Sequence, residues 1–165
     1  MNVEHLMTRD LECCTPDFTL TDAAMIMWRR DCGIVPVVGP GTQDLVGVIT
    51  DRDICMAAAT RHVSTDDLFV RDVMGTQIFT CAPTDSLRAA EHRMAEGQVR
   101  RLPVTDRDRK LLGMISLNDI ALAAEKTERR EALPTYTDVM GVLKAVSAHR
   151  LPVAAAEQNL AGSKN

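Results

Sequence analysis

The chain has 165 residues, of which 45% are apolar and 25% charged, so it is expected to bury a hydrophobic core in one domain or two very small ones. Its formal net charge of -4 argues against a general nucleic-acid binder, which carries an excess of Lys and Arg. Aromatic residues make up 3% of the chain, too few for base-stacking platforms. The sequence contains neither an apolar run of membrane-spanning length nor a signal-peptide pattern, which predicts a cytoplasmic protein without membrane contact.

The sequence repeats itself once. Three short blocks recur at an offset of 67 residues and a fourth at an offset of 66: VEHLM at 3–7 with VRDVM at 70–74, CTP at 14–16 with CAP at 81–83, IVPV at 34–37 with RLPV at 101–104, and GVITDRDI at 47–54 with GMISLNDI at 113–120. Each copy has about sixty residues and is too small to close a core comfortably alone. The two copies are therefore expected to pack against each other.

Both copies show the same order of elements. A short strand is predicted near residues 11–14 and 78–81, followed by a helix with an apolar stripe: Leu20, Ala23, Ala24, Met27 and Trp28 in the first copy, and Leu87, Ala90 and Met94 in the second. Two apolar runs separated by a turn then predict a hairpin. A second helix begins at Thr50 or Ser116. Each copy is thus predicted as β-α-β-β-α.

The C-terminal part lies outside the duplication. Residues 121–133 are predicted to continue the last helix up to Pro134, and residues 137–148 to form another helix with one apolar face: Val139, Val142, Leu143 and Val146. This face needs a partner, which is the protein's own sheet, a second copy or another protein. Residues 149–162 resemble residues 99–113 and are either a truncated third repeat or a chance similarity. The predicted division is repeat 1 at 1–61, repeat 2 at 62–123 and a helical extension at 124–165.

The paired motifs resemble the cystathionine-β-synthase (CBS) domain pair, or Bateman module. The resemblance covers residues 1–123 and depends on the Thr-Pro or Ala-Pro start, the apolar-Pro-Val strand and the terminal Gly-apolar-apolar-[Ser/Thr]-x-x-Asp motif. It implies an α+β fold of tandem βαββα repeats related by a pseudo-two-fold axis, with sheets packed face to face. It also implies clefts that bind adenine nucleotides and assembly into a disc-like homodimer.

The terminal motif has two interpretations. Thr50 with Asp53, and Ser116 with Asp119, each match a capping box that satisfies amides at a helix start and needs no ligand. The same geometry suits a ligand, because a helix start attracts phosphate and a carboxylate accepts hydrogen bonds from a ribose diol. The resemblance places the ribose at both aspartates and the phosphates near Thr50 and Ser116. Asp51 and Asp53 are a candidate pair for Mg²⁺ bound together with a polyphosphate.

The resemblance also implies which residues contact the base. They lie on the early strand and before the apolar-Pro-Val strand: Cys13, Cys14, Thr80, Cys81, Gly33, Ile34, Val99 and Arg100. For Ile34 and the adjacent Val35, each taken individually, ordinary core packing is the better interpretation. Arg100 and the adjacent Arg101 have no cationic counterpart in the first copy, so the clefts are predicted to be unequal. The second is predicted to prefer a polyphosphate or at least a well-anchored monophosphate. Arg101 is equally compatible with a solvated strand-end charge.

The histidines show no metal-ligand spacing, and neither a nucleophile motif nor a Gly-rich phosphate loop is present, so the protein is predicted not to be an enzyme. The leading hypothesis is a stand-alone regulatory homodimer that binds AMP, ADP, ATP or a related adenosyl ligand such as NAD or S-adenosylmethionine. It would signal ligand state, as an energy sensor does, to a partner protein that the sequence does not name. One alternative is a structural dimerisation domain without ligand. The other is a thiol-based redox switch at Cys13, Cys14 or Cys81.

Overall fold

The computed structural model describes residues 1–124 and 134–148. Within them the chain forms five α-helices, four β-strands and two short 3-10 turns. In chain order these are a 3-10 turn at Val3–His5, α1 at Leu20–Arg30, β1 at Ile34–Val38, β2 at Leu45–Thr50, α2 at Asp51–Arg61, a 3-10 turn at Val70–Asp72, α3 at Leu87–Gly97, β3 at Arg101–Thr105, β4 at Leu111–Ser116, α4 at Leu117–Ala123 and α5 at Tyr136–Ser147. This is the α+β duplication that the sequence predicts.

Local sequence signals set the limits of the helices. Capping boxes open four of them, formed by Thr19 and Asp22, Thr50 and Asp53, Ser116 and Asp119, and Thr135 and Asp138. Helix α3 begins instead with Ser86, whose side chain accepts a hydrogen bond from the Ala89 amide. Helices α1, α2 and α3 end at residues in the left-handed conformation, namely Asp31, His62 and Gln98.

The two sheets have the same register. Strand β1 pairs antiparallel with β2, with Ile34 opposite Thr50, and β3 pairs with β4, with Arg101 opposite Ser116. Both pairs carry an irregularity at the end of the first strand. The predicted early strand is shorter than expected and consists of one parallel bridge in each repeat, Cys14 with Val37 and Cys81 with Val104. Each of these cysteines therefore lies beside the first strand of its hairpin, β1 or β3.

The repeats exchange the segments that precede them. The amide of Val3 donates to the Asp85 carbonyl, and Val3 and Met7 are buried in the core of the second repeat. In the same way the Val70 amide donates to the Phe18 carbonyl, and Val70 is buried in the core of the first repeat. Each core is therefore completed by a segment from the other half of the sequence. The division at residue 61 stays a prediction.

The hairpins of the two repeats also meet directly. The Leu45 amide donates to the Arg109 carbonyl at 3.0 Å, and the Leu111 amide donates to the Gln43 carbonyl at 2.8 Å. Beside these bonds, Leu45 and Leu111 join Val38 in a small shared apolar cluster with a half-buried rim: Leu11, Cys13 and Ile78. This junction joins the hairpin of the first repeat to that of the second, next to a cleft between the repeats.

The C-terminal helices differ partly from the prediction. Helix α4 includes residues 121–123 of the expected continuation and ends at Ala123, because Ala124 is extended (φ -69°, ψ 138°). Residues 125–133 and 149–162, which carried the rest of that expectation and the third-repeat similarity, lie outside the described residues. Helix α5 begins one residue before the predicted 137–148. Its Val142 is buried against α3 and α4, whereas Leu143, expected on the same face, is exposed.

Candidate functional site

A cleft of about 400 Å³ lies between the two repeats. Residues before α1, the end of α1 and strand β1 provide most of its wall, and the second repeat provides Arg101 and the carboxylate and hydroxyl groups of its terminal motif. The residues that line it are Thr8, Asp10, Leu11, Glu12, Arg30, Cys32, Ile34, Pro36, Arg101, Met114, Ser116 and Asp119. We call this the Ser116 cleft. It unites four of the residues that the sequence selects: Ile34, Arg101, Ser116 and Asp119.

The capping box at the start of α4 leaves one carboxylate oxygen available. The hydroxyl and the amide of Ser116 both donate to Oδ2 of Asp119, each at 2.7 Å, and the Asp119 amide donates back to the hydroxyl at 3.2 Å. No described residue donates a hydrogen bond to Asp119 Oδ1, and the side chain is half-buried at the cleft. The capping interpretation is therefore correct, and it leaves Oδ1 open to a ligand.

The first amide of α4 is already occupied. Leu117 donates its N–H to the Arg100 carbonyl at 2.8 Å, so it is not available to a phosphate. A phosphate in this cleft depends instead on side chains. Arg101 is half-buried at the cleft and forms no ion pair within the described part of the chain. Its guanidinium is the cation best placed to meet an anion.

The first repeat does contribute a cation, contrary to the expectation from Gly33 and Ile34. Arg30, at the end of α1, lines the Ser116 cleft and pairs with Asp10 at 3.1 Å and with Glu12 at 3.3 Å. Glu12 also pairs closely with Arg29, and this hydrogen bond lowers the pKa of its carboxyl group. The sequence did not predict any of these charged residues, because they share no motif. The tertiary fold brings the segment at residues 10–12 next to the end of α1.

In the corresponding terminal motif of the first repeat, the backbone amides donate hydrogen bonds to groups of the same repeat. The Asp51 amide donates to the Gly33 carbonyl at 3.2 Å, and the Arg52 amide donates to Asp51 Oδ1 at 2.7 Å. The Asp53 amide donates to the hydroxyl of Thr50 at 3.2 Å. All three amides at the start of α2 therefore have partners, and Thr50 and Asp53 do not line the Ser116 cleft.

The two repeats also carry different side chains at two equivalent positions near their clefts. Phe79 occupies the position equivalent to Glu12, and Gly97 the position equivalent to Arg30. The Phe79 ring lies so near Gly97 that a Cβ atom there would be 2.7 Å from it. An aromatic contact thus replaces the charged cluster, which agrees with the expectation of unequal clefts.

Two of the cysteines predicted to contact the base, Cys14 and Cys81, have buried thiols and hydrogen-bonded backbone groups. Cys14 and Cys81 are each 1% exposed. Their amides donate to the Pro36 and Pro103 carbonyls, and their carbonyls accept from Val38 and Thr105. Burial raises the pKa of both thiols to about 12. Cys13 is half-buried, and its pKa is also raised by burial. These thiols stay protonated at neutral pH, which opposes the redox alternative.

The remaining predicted residues do not line the Ser116 cleft. The Thr80 carbonyl accepts a hydrogen bond from Arg93 at 2.5 Å, Val99 packs against the second core, and the side chain of Arg100 is exposed. Gly33 lines a different cavity of about 520 Å³ beside Trp28 on the outer side of the first repeat. Across residues 1–124 and 134–148, no group of three or more metal-ligating side chains comes together.

The family model for the CBS domain matches the chain twice, at residues 3–60 and 70–126. The protein belongs to the CBS-domain family. The CBS domain-containing protein YhcV of Bacillus subtilis is 35% identical to it over 121 residues, which cover 73% of this chain and 84% of YhcV. None of the helices described here is long and apolar enough to span a membrane.

Solved CBS-domain structures share the fold. The crystal structure of CBSX2 in complex with AMP is 26% identical, with a TM-score of 0.63, and the match covers 74% of this chain and 94% of CBSX2. The CBS domain pair of MJ0100, solved with 5-methylthioadenosine and S-adenosyl-L-methionine, is 20% identical with a TM-score of 0.67, and the match covers 74% of this chain and 94% of that pair. Adenosyl compounds are thus the ligands of two proteins with this architecture.

Proposed function

We propose that this CBS pair is a regulatory module that binds one adenosyl ligand in the Ser116 cleft. The observation that carries the proposal is the meeting of Ser116, Asp119 and Arg101 with apolar residues of the first repeat in one cleft. The volume of about 400 Å³ is within the usual range for small-molecule sites. The AMP complex of a relative with the same fold supports the ligand class.

Each group in the cleft has a specific role in this proposal. Asp119 Oδ1 accepts hydrogen bonds from the ribose hydroxyls, because Oδ2 is already used by Ser116. Arg101 binds the phosphate through charge-assisted hydrogen bonds. Ile34, Pro36 and Met114 provide apolar surface for the flat faces of adenine. Cys14 and Cys81 hold the hairpins in place and do not contact the ligand.

The charges in the cleft favour a ligand with few phosphates. Among the described residues Arg101 forms no ion pair, whereas Arg30 is neutralised by Asp10 and Glu12. The carboxylates of Asp10, Glu12 and Asp119 oppose a chain of three phosphates. AMP, or an adenosyl ligand without phosphates such as S-adenosylmethionine, therefore fits better than ADP, ATP or NAD. Mg²⁺ enters only with a polyphosphate.

The module acts by binding and not by catalysis. Ligand occupancy changes the balance between two conformations only if the ligand prefers one of them, and a cleft built from both repeats provides that preference. A partner protein reads the resulting state. In this proposal the module is a cytoplasmic homodimer.

Calorimetric titration with AMP, ADP, ATP and S-adenosylmethionine tests the proposal. We expect the wild type to release heat with AMP, and Asp119→Ala to weaken AMP binding about 10-fold or more, because its hydrogen bonds to the ribose are lost. Asp53→Ala is the matched control, since it removes the equivalent capping carboxylate of the first repeat. It should bind AMP as the wild type does.

The alternative of a purely structural domain makes a different prediction. No heat with any of the four compounds, or equal loss of binding in Asp119→Ala and Asp53→Ala, would show that the terminal motifs serve only as caps. A thermal shift measured on the same variants separates the effects, because both caps are expected to contribute about 1 kcal/mol to stability.

A further inference from the structure

One carboxyl group of the second repeat is buried under helix α5 without a full set of hydrogen bonds. Glu91 lies on the inner face of α3 with Leu87 and Met94 and is 6% exposed. Its Oε1 is the single buried side-chain oxygen or nitrogen in the described part of the chain that lacks a hydrogen-bond partner. Buried polar groups are normally hydrogen-bonded, so this unpaired oxygen requires an explanation.

The duplication shows that packing of the repeat does not require this carboxyl group. The equivalent residue of the first repeat is Ala24, which is half-buried beside the cavity of about 520 Å³. Among the described residues no helix covers α1 and α2 as α5 covers α3 and α4. The acidic residue therefore occurs in the repeat whose helices are covered, and it lies at the contact with the covering helix.

Helix α5 is attached to the second repeat by a small apolar contact. Val142 is the one buried residue of this helix, and Val139 and Val146 are half-buried against the same core. Across the contact, the side-chain amide of Gln98 donates to the Ala145 carbonyl at 3.4 Å. The position of α5 therefore depends mainly on one short row of valines.

Helix α5 is also weak by itself. It has 12 residues, too few for a stable isolated helix in water. Gly141 lies near its middle, and a Cβ atom there would have no atom within 4 Å, so packing does not require a glycine at this position. Glycine lowers the stability of a helix. When α5 leaves the repeat it is therefore expected to unfold, which exposes its backbone amides to water.

The groups near Glu91 oppose its ionisation while α5 is in place. Burial between the helices raises the pKa of Glu91 to about 7, the Asp138 carboxylate on α5 raises it further, and Arg88 lowers it. Arg88 is exposed and lies 4.0 Å from Asp138, with which it forms an ion pair. The other ionisable side chains of the first 3-10 turn and of α3, α4 and α5 are exposed or lie at the Ser116 cleft: Glu4, His5, His92, Arg93, Glu96, Asp119, Tyr136 and Lys144.

We infer that α5 is a proton-controlled cover of the second repeat, docked while Glu91 carries a proton and released when Glu91 ionises. The protonated carboxyl is neutral and can stay buried at moderate cost. After its proton passes to water, the carboxylate would be buried beside that of Asp138 with one oxygen unpaired. Release of α5 hydrates Glu91 and separates the two charges. No ligand takes part, so the inference goes beyond the proposed function and gives the module acidity as a second signal.

The direction of the pH effect follows from the pKa of Glu91 in the two states. In the released state the carboxyl is hydrated and has its ordinary pKa of 4.5, whereas in the docked state the pKa is about 7. The group therefore favours docking fully below pH 4.5 and loses this contribution as pH rises through 7. The equilibrium constant for docking falls about 10-fold between pH 6 and pH 8.

Hydrogen exchange followed by mass spectrometry tests the inference without a ligand. Peptides from residues 136–147 report release, because the inner amides of α5 exchange when the helix unfolds. After correction for the intrinsic exchange rate, the protection of α5 in the wild type should be about 10-fold lower at pH 8 than at pH 6. The protection of α1 should not change. Glu91→Gln keeps the size of the side chain but does not ionise, so its α5 should be equally protected at both pH values.

Three further variants make the result specific. Glu96→Gln changes an exposed carboxyl on the same helix and should keep the wild-type loss of protection. Gly141→Ala should raise the protection of α5 about 4-fold at both pH values and leave the ratio between them unchanged. Glu91→Ala, which copies Ala24 of the first repeat, guards against misfolding of the glutamine variant and should likewise abolish the pH dependence.

Two results would overturn the inference. One is equal protection of α5 at pH 6 and pH 8 in the wild type. The other is a loss of protection at pH 8 that persists in both Glu91→Gln and Glu91→Ala. Either result would leave the proposed function in place, because α5 does not line the Ser116 cleft and AMP titration tests that cleft separately. A protein that binds no AMP would in turn leave the exchange of α5 as the test of this inference.

Discussion

The two repeats have the same backbone plan but different surfaces. Their hairpins share one register, their exchanged segments make equivalent hydrogen bonds, and their second helices begin with equivalent capping boxes. They differ at a few positions: a salt-bridged Glu12 against Phe79, and an exposed Trp28 against Ala95. Buried positions therefore preserve the duplication, while substitutions at the cleft and on the outer helices give each half its own task.

The largest expected difference concerns two equivalent glycines. A Cβ atom on Gly113 would lie 2.7 Å from the backbone oxygen of Thr8, and one on Gly47 would lie 2.7 Å from the flexible sulfur of Met74. We expect Gly113→Ala to lower the free energy of unfolding by about 2–3 kcal/mol and Gly47→Ala by about 1 kcal/mol, because a side chain yields more easily than a backbone. Urea denaturation measures both. Equal losses would show that the two exchanged segments are held alike.

An intermediate effect is expected at Glu91, whose equivalent in the first repeat is Ala24. Glu91 is 6% exposed between α3 and α5, and its Oε1 has no hydrogen-bond partner. Burial raises its pKa to about 7, the carboxylate of Asp138 on α5 adds to the rise, and Arg88 on α3 opposes it. Since the pKa is higher in the folded protein, the carboxyl favours folding most below pH 4.5, and this contribution is lost as pH rises through 7.

Glu91→Gln tests this pH dependence. The wild type should lose up to about 1.4 kcal/mol of unfolding free energy per pH unit between pH 5 and 7 through this group. The unfolding free energy of Glu91→Gln should not show this decrease with pH, and the variant should be more stable than the wild type at pH 8. Glu96→Gln, an exposed position on the same helix, should keep the wild-type slope. Parallel profiles for the wild type and Glu91→Gln between pH 5 and 8 would contradict the assignment.

The smallest effect, and an equal one, is expected at the two caps. Thr50→Ala and Ser116→Ala each remove a hydroxyl that accepts from the amide three residues later and donates to the paired aspartate. Each should cost about 1 kcal/mol in thermal or urea unfolding. Only Ser116→Ala should also weaken AMP binding. A clear difference between the two stability losses would mean that the caps are not equivalent.

Much of the fold could be predicted from the sequence, because the same motifs occur in two copies. The recurring motifs predict the helices and hairpins, and the capping boxes place the starts of α2 and α4 correctly. The predicted early strand is a single bridge in each repeat, and residues far apart in sequence decide its length. The end of α4 at Ala123 was not predictable, since the following residues 124–133 are rich in Glu, Lys and Arg, which are compatible with a helix.

The site was predicted less completely than the fold. Ser116, Asp119 and Arg101 belong to motifs, and the structure brings them to one cleft. Asp10, Glu12 and Arg30 reach the same cleft from the segment before the first repeat and from the end of α1. No spacing rule joins them, because their proximity depends on how one repeat lies against the other. Cys14 and Cys81 are buried in the two cores and do not line this cleft.

The exchanged segments have a consequence for biosynthesis. Val3 and Met7 lie in a core whose other members, such as Ile115 and Ile120, follow them by more than 100 residues in the chain. The core of the first repeat likewise needs Leu68 and Val70, which follow its second helix α2 in the chain. The first core can therefore form before the second repeat is synthesised, whereas the second core forms only after α4 is made, so full stability is gained late.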